Sequence, residues 1–335
     1  MSISVITPGM LSSFQDLGRT GSQHLGVPVG GAMDNRAHRL ANLLAGNPDS
    51  EATLEITLTG PKLRFDSACC IAISGADLSP SLNKIAIPNN RPIIIRPNDI
   101  LEFGKRNNGA RAYLAVHGGI VLSNILGSCS TNLRGQFGGY QGRALKKGDT
   151  LALRCHLAAD GLDTLAESLW NIKVYLPAIL GLLPRTAIRA LSGEHSSLFS
   201  PPSRNDFFTT GFRISPHSER MGYRLEGAGL KLNTPQQLPS EAISFGSVQV
   251  LRDSVVSVQR LKAEGMPLPA LAGTSGWIEA GSESSAPPKE KLWRMVPGAA
   301  LQQVGWNHRA SLPLESPEQV EMQFTLSSTV RPEFK

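Results

Sequence analysis

Short strand-like segments recur about every ten residues along the first half of the chain, and most of them end at a turn signal. The predicted strands cover residues 3–6, 53–59, 70–74, 93–95, 100–103, 111–116 and 151–155. The chain contains 33 glycines and 23 prolines, which interrupt long regular elements and favour turns. This spacing predicts a mainly β fold with a few short helices, in which antiparallel strands form a sandwich or barrel.

A length of 335 residues is sufficient for two lobes. The predicted boundaries are 1–156 for an N-terminal β-rich lobe, 157–187 for a connector, 188–310 for a second β-rich lobe and 311–335 for a loose polar tail. Apolar residues spaced by three and four predict one helix near 34–46 in the first lobe. A similar pattern predicts a short helix in the connector, and residues 207–208 read as part of a strand.

Residues 15–34, which we call the glycine loop, combine recurrent glycine with polar side chains. Glycine occupies positions 18, 21, 26, 30 and 31, where the backbone can take positive φ or approach another group closely. The polar side chains are Gln15, Asp16, Arg19, His24 and Asp34. A loop that leads into a helix N-terminus can hold an anion. A tight structural loop with solvated charges is the alternative, and these residues alone do not decide between the two.

Residues 126–143, which we call the serine loop, form a second polar stretch. Three hydroxyl side chains, Ser128, Ser130 and Thr131, lie beside a cysteine, and Arg134 and Arg143 follow closely. Such a set can bind a carboxylate or a phosphate. A surface loop rich in turn residues explains the same sequence.

Two arginines in the second lobe, Arg220 and Arg224, bracket Tyr223. In an extended chain, a spacing of four places both guanidinium groups on one side of the strand. That arrangement predicts an anion clamp, whereas a strand with a solvated face is the commoner reason for such spacing.

Composition argues against several classes of protein. The net charge of +6 is spread along the chain and aromatic residues make up 6%, whereas a nucleic-acid surface needs a concentrated basic stripe. No apolar run is long enough to span a membrane, and the first residues do not read as a signal peptide. The four cysteines lack zinc-site spacing, so we expect no metal site and a reduced, cytoplasmic protein. No Walker-type phosphate loop is present.

Seven motifs occur in an order that is typical of one family. They are QDLGR at 15–19, GAMD at 31–34, ANLLAGN at 41–47, LEITL at 54–58, YLAVHGG at 113–119, LGSCST at 126–131 and SERMGYRL at 218–225. In this order they resemble the biotin-dependent carboxyltransferase, or allophanate hydrolase subunit 2, family. The resemblance extends from about residue 3 to about residue 250.

The resemblance implies a cyclophilin-like β-barrel with two lobes. It also implies an enzyme component that acts with subunits B and A of an ATP-dependent 5-oxoprolinase, a cyclic amidase that opens 5-oxo-L-proline to L-glutamate. In that chemistry the amide oxygen is activated by phosphorylation and water then attacks. ATP would therefore be required at the level of the complex, and the small cyclic amide would be the substrate.

Candidate site residues follow from residue type, because this chemistry needs cations near phosphate and carboxylate groups. The candidates for binding substrate or phosphate are Gln15, Arg19, Gly30, Gly31, Ser128, Thr131, Arg143, Arg220, Tyr223 and Arg224. The candidates for a general base, or for orienting the ring N–H, are Asp16, Asp34 and Glu55.

Residues 251–288 depart from the family pattern, because a Gly-Gln-Pro turn and a Gln-Thr-x-Gly-Gly-Tyr-Pro segment are missing there. This departure bears on the activity of the chain but not on its fold. Two alternative functions accompany the family. One is biotin-dependent carboxyl transfer to urea or a similar small amide, with biotin carried on another protein. The other is a non-enzymatic antagonist of a kinase inhibitor.

Overall fold

The computed structural model describes residues 1–158, 160–172, 187–191, 193, 195–216, 218, 220, 222–234 and 247–250, together with four short strands after residue 250. The chain divides into two units, Met1–Pro177 and Ala178–Lys335, and each is described by itself. No described helix combines the length and the apolar character that a membrane crossing requires.

The first unit is built mainly from short strands. In chain order its elements are β1 (Ser2–Thr7), β2 (Leu11–Gln15), α1 (Asn35–Leu44), β3 (Thr53–Thr57), β4 (Lys62–Phe65), β5 (Cys69–Asp77), β6 (Pro80–Leu82), β7 (Ile85–Ala86), β8 (Pro92–Ile95), β9 (Ile100–Phe103), β10 (Asn108–Val116), β11 (Thr150–Ala152) and α2 (Leu162–Trp170). A 3-10 turn at Gln23–Leu25 lies within the glycine loop. Each strand that the sequence predicted coincides with an observed strand, whereas β2, β4, β6 and β7 were not predicted.

The strands form two antiparallel sheets that share one core. The order in the first sheet is β11-β1-β4-β9-β6-β7, and the order in the second is β2-β3-β10-β5-β8. Ile3 and Phe65 of the first sheet pack in the same apolar cluster as Phe14, Ile56 and Ile71 of the second. The predicted mainly β fold is therefore confirmed.

Helix α1 packs on the outer face of the second sheet. Its Ala37 and Ala41 are buried against Ala72, Tyr113 and Ala115, and these small side chains let the helix approach the strands closely. Asp34 caps the helix, because its Oδ1 accepts hydrogen bonds from the N–H groups of Arg36 and Ala37. The helix that the sequence predicted near 34–46 is thus confirmed, and it begins where the glycine loop ends.

Cys69 and Cys70 show how β5 contributes to two clusters. Cys69 lies in the core between the sheets, whereas Cys70 packs with Ile94 and with Leu162 of α2. Both thiols are free. Burial raises the pKa of Cys70 to about 11. The two neighbours therefore face opposite sides of the strand, as successive residues of a β-strand do.

The described elements of the second unit are a helix and the strands of two sheets. They are β12 (Ala187–Leu191), α3 (Pro201–Thr209), β13 (Phe212–Ile214), β14 (Gly222–Glu226), β15 (Val248–Val250), β16 (Val256–Gln259), β17 (Trp277–Ile278), β18 (Arg294–Met295) and β19 (Val320–Gln323). The sheet orders are β18-β12-β19 and β15-β16-β14-β13-β17. Strands β16 and β17 fall within 251–288, and β19 falls within the expected loose tail. The rest of both stretches lies outside the described residues.

The strand expected at residues 207–208 is wrong, because both residues belong to α3. Ser200 caps this helix by accepting a hydrogen bond from the N–H of Ser203, and proline follows directly in the first turn. A serine cap followed by proline at the first helical positions favours a helix start. These local signals outweigh the aromatic pair, which by itself favours a strand.

Candidate functional site

Asp16 joins the glycine loop to the serine loop. Its Oδ1 accepts hydrogen bonds from the Ser128 hydroxyl at 2.7 Å, the Ser130 hydroxyl at 2.5 Å and the Gly18 N–H at 2.7 Å. Its Oδ2 accepts one from the N–H of Cys129 at 2.6 Å. The residue is 8% exposed, so its charge is held by these four donors. Hydrogen bonds to an ionised acceptor are stronger than neutral ones, and together they fix one loop against the other.

The guanidinium of Arg19 lies beneath the same two loops. Nε donates to the carbonyl of Ile125 at 3.2 Å, and Nη2 donates to the carbonyls of Ser130 at 2.6 Å and Ser128 at 3.4 Å. The ring centroid of Phe137 lies 4.9 Å from Cζ, so an aromatic face covers the cation. Arg19 is only 1% exposed. The cation is therefore held rigidly by backbone carbonyls and an aromatic ring.

One nitrogen of the Arg19 guanidinium takes no part in the hydrogen bonds described above. In the described part of the chain, the buried Nη1 has no hydrogen-bond partner. A Cβ built on Gly30 would lie 3.5 Å from Nη1 and 3.8 Å from the Cβ of Ser130. Burial lowers the pKa of Arg19 and the charge of Asp16 raises it, but an arginine stays protonated. The side of Gly30 that lacks a side chain therefore faces an unused donor of a buried cation.

Two glycines allow the loops to close around this cation. Gly31 has φ of +87°, and a Cβ on it would lie 2.8 Å from the backbone N of Gly18. A Cβ on Gly138 would lie 2.3 Å from the carbonyl oxygen of Ser130 and 2.7 Å from Nη2 of Arg19. Neither position accepts a larger residue without moving backbone. The loop geometry thus depends on glycine at both places.

Glu55 lies in a buried polar layer under the start of α1. Its Oε2 accepts hydrogen bonds from the Met33 N–H and from the Tyr113 hydroxyl, each at 2.9 Å. Its Oε1 lies 3.6 Å from Nε of Arg111, whose side chain is 10% exposed. The Tyr113 oxygen also accepts from the N–H of Asp34 at 2.7 Å. Burial raises the pKa of Tyr113 well above its usual value, so its hydroxyl stays protonated and Glu55 is held in place.

The carboxylates proposed as bases differ in exposure. Asp16 and Glu55 are buried, at 8% and 1% exposure, whereas Asp34 is only partly buried. Asp34 uses Oδ1 to cap α1, as described above. Its location at the junction of the glycine loop and α1 makes it the most accessible of the three. Their catalytic roles stay predictions.

A further group of buried polar side chains surrounds Gln15. Its Nε2 donates to the Ser13 hydroxyl at 3.0 Å and to the Thr131 carbonyl at 3.3 Å. Nδ1 of His38 lies 2.8 Å from the Thr53 hydroxyl, and Thr53 also donates to the carbonyl of Gln15 at 3.4 Å. Burial lowers the pKa of His38 to about 4, so the ring is neutral at pH 7. Gln15 and Thr131 are therefore brought together beneath the two loops.

The guanidinium of Arg143 is already engaged by other residues of this chain. It forms a two-pronged ion pair with Asp149, with both N–O distances at 2.8 Å, and also donates to Gln141 and to the carbonyl of Ala144. The hydrogen bonds raise the pKa of Arg143 and lower that of Asp149. Its cation lies 5.4 Å from the ring centroid of Tyr140. These contacts give it a clear structural role at the end of the serine loop, and its binding role stays a prediction.

Of the three candidates in the second unit, Tyr223 and Arg224 lie in β14 and Arg220 precedes it. Tyr223 is buried and Arg224 is exposed, as alternation in a strand requires. Arg220 lies in a turn ahead of the strand, so the expectation that both arginines share one side of a strand is wrong. The turn at Arg220 is not part of the extended chain that the spacing of four assumes. Their binding roles stay predictions.

Sequence reasoning missed several residues of the site. Tyr113 and Arg111 complete the environment of Glu55, and Phe137 covers Arg19. A signal for the first two was present, because they alternate with apolar residues in a predicted strand. Tyr113 pairs directly with Glu55 in the register of β10 and β3, which only the folded sheet reveals.

Comparison with known proteins identifies a family. A family model described as "Carboxyltransferase domain, subdomain A and B" matches residues 25–260, which is more than half of the chain. The 5-oxoprolinase C subunit of Escherichia coli is 35% identical over 252 residues, which cover 74% of this chain and 76% of that protein. A urea amidolyase of Lachancea kluyveri is 39% identical over 234 residues, which cover 67% of this chain and 12% of that protein.

Solved structures lead to the same family. The crystal structure of the K. lactis urea amidolyase superposes with a TM-score of 0.66 at 33% identity and covers 78% of this chain and 16% of that one. The chain thus spans less than a fifth of the length of the urea amidolyases it matches. The family motifs at residues 31–34, 113–119 and 126–131 all lie in or beside the site built above. This chain belongs to the carboxyltransferase family with subdomains A and B.

Proposed function

We propose that this chain is the C subunit of a 5-oxoprolinase, which acts with subunits A and B to hydrolyse 5-oxo-L-proline to L-glutamate at the expense of ATP. The observation that carries the proposal is the match to two 5-oxoprolinase C subunits, each covering about three quarters of both aligned chains. The complex is proposed to be cytoplasmic, without a nucleic-acid or membrane partner.

The described residues support binding of a small anionic amide. Arg19 supplies a buried cation with one donor that no described residue uses, and Gln15 and Thr131 each have a buried side-chain oxygen without a hydrogen-bond partner among the described residues. Asp34 is proposed as the group that orients the ring N–H or accepts a proton, because it is the least buried of the candidate carboxylates. Asp16 and Glu55 hold the loops that position these groups.

ATP is assigned to the complex rather than to residues of this chain. A triphosphate needs several convergent donors, as in a P-loop or a cluster of cations. Arg19 offers one nitrogen that is unused among the described residues, and Arg143 is engaged by Asp149. These two arginines therefore do not fit a triphosphate, and the ATP site is proposed to lie on a partner subunit.

The proposal is tested by co-expression of this chain with subunits A and B from the same source. The measured quantities are co-purification of the three chains and glutamate release from 5-oxo-L-proline with and without ATP. We expect glutamate release that requires both ATP and this chain. A stable complex that releases no glutamate would contradict the proposal, and omission of each component in turn is the control.

A second candidate is carboxyl transfer from biotin, carried on another protein, to urea. The observation in its favour is the 39% identity to a urea amidolyase, which exceeds the identity to the 5-oxoprolinase C subunits. It predicts urea-dependent incorporation of labelled bicarbonate when a biotin carboxylase and its carrier are added. Labelled product without glutamate release would replace the first proposal by the second.

A further inference from the structure

Nη1 of Arg19 lies next to Gly30 in this site. Three of the side-chain contacts of Arg19 run to backbone carbonyls, so the guanidinium cannot turn away from its position. Its Nη1 is buried and has no partner among the described residues. A buried charged donor without an acceptor is unfavourable, so an acceptor from outside the chain would stabilise it. A Cβ built on Gly30 would lie 3.5 Å from Nη1, so glycine at this position leaves the space of one side-chain atom beside the nitrogen.

We propose that Nη1 of Arg19, reached across Gly30, binds the carboxylate of the small-molecule substrate. This inference rests on the proposed function, in which the substrate is a lactam that carries one carboxylate. It assigns recognition of that carboxylate to this chain and leaves the reacting amide to other groups. The carboxylate end of the substrate is thus recognised by Arg19, and the amide end, which reacts, is held by other groups.

The local charge favours a carboxylate over a phosphate. Asp16 accepts from the Ser130 hydroxyl, and the carbonyl of the same serine accepts from Nη2 of Arg19, so one negative charge already lies close to the cation. A carboxylate adds one negative charge, whereas a phosphate group adds between about 1.5 and 2. A like charge of that size beside Asp16 is repelled more strongly. A monoanion is therefore the better match.

Gly30 provides the test because a matched control exists in the same loop. An alanine Cβ at position 30, where φ is +69°, would lie in ordinary contact with Nη1 at 3.5 Å and would occupy the approach to it. Gly26 has φ of +74°, and a Cβ there meets no described atom within 4 Å. Gly30→Ala and Gly26→Ala thus impose a similar backbone strain, but only the first fills the proposed subsite.

The experiment measures how the full chain, in complex with subunits A and B, binds two ligands. 5-Oxo-L-proline carries the carboxylate, and 2-pyrrolidinone is the same lactam without it. We expect Gly30→Ala to weaken calorimetric binding of 5-oxo-L-proline, and to raise its KM, by tenfold or more. Binding of 2-pyrrolidinone should change less than twofold, and Gly26→Ala should leave both ligands unchanged. Arg19→Lys, which keeps the charge on a differently shaped group, should fall between wild type and Gly30→Ala.

The outcomes distinguish this inference from the proposed function. An active complex in which Gly30→Ala behaves like Gly26→Ala would overturn the inference and leave the function standing. A complex without turnover that still binds 5-oxo-L-proline through Gly30 would overturn the function and retain the carboxylate subsite. An equal loss for both ligands in Gly30→Ala would also overturn the inference, because general damage to the loop does not depend on the carboxylate. Thermal unfolding of each variant confirms that the chain is folded.

Discussion

The substitution Asp16→Asn tests whether Asp16 anchors the glycine loop to the serine loop or acts in catalysis. The substitution keeps the shape of the side chain but removes its charge and replaces one acceptor oxygen by an NH2 group. In the wild type both carboxylate oxygens accept, so the new NH2 must face either the Cys129 N–H or the donors that now bind Oδ1. Arg19 also loses the negative charge that raises its pKa.

The expected loss of stability follows from the burial of Asp16. Removing one partner from a buried set of charged groups costs about 3–5 kcal/mol, because the remaining charge is left uncompensated. For a unit of this size, each kcal/mol shifts the midpoint of thermal unfolding by about 2–4 °C. We therefore expect Asp16→Asn to lower the unfolding midpoint by roughly 6–20 °C. Asp49→Asn is the matched control, since that carboxylate is 60% exposed and its ion pair is worth about 0–1 kcal/mol.

Differential scanning calorimetry of the full chain measures both variants, and the reconstituted complex supplies the activity. The anchoring role predicts a large loss of stability for Asp16→Asn and little change for Asp49→Asn. An Asp16→Asn chain that unfolds within about 2 °C of the control, yet has lost activity, would refute this reasoning. That result would instead favour Asp16 as a general base.

Three further changes have defined outcomes. Tyr113→Phe removes the hydroxyl that donates to Glu55, so urea unfolding should show a loss of about 1–3 kcal/mol. Gly31→Ala forces a strained φ and a 2.8 Å contact, so thermal melts should show a loss of about 2–4 kcal/mol, compared with about 1 kcal/mol for Gly26→Ala. His38 has a pKa of about 4 when folded and about 6.5 when unfolded, so the unfolded state binds its proton first as the pH falls. Stability should drop by about 2 kcal/mol between pH 7 and pH 5, and His38→Gln should remove that part of the pH dependence in urea titrations.

The fold could be predicted where local pattern and burial agree. Strand β10 is rich in apolar residues and pairs with two neighbours, and α1 has both a cap and an apolar stripe. Strand β2 was missed because its hydroxyl-rich sequence carries no apolar alternation. It becomes a strand through pairing with β3, and its polar side chains are buried by contacts from distant residues.

The site could be predicted in its members but not in their roles. Asp16 and Arg19 stood out by residue type, yet the partners that fix them lie more than 100 residues away in the serine loop. Arg143 was expected to be available for an anion, whereas Asp149, only six residues on, engages it in two hydrogen bonds. Sequence shows which charges are present, but only the fold shows which of them are already paired.

The most direct test of the central claim is the ratio of glutamate formed to ADP formed by the reconstituted three-component complex. The proposed function predicts about one glutamate per ADP, dependent on 5-oxo-L-proline, because one phosphoryl transfer activates one amide. Both products should be lost when this chain is omitted. Undiminished, coupled turnover by subunits A and B alone would contradict the claim that this chain is part of the enzyme.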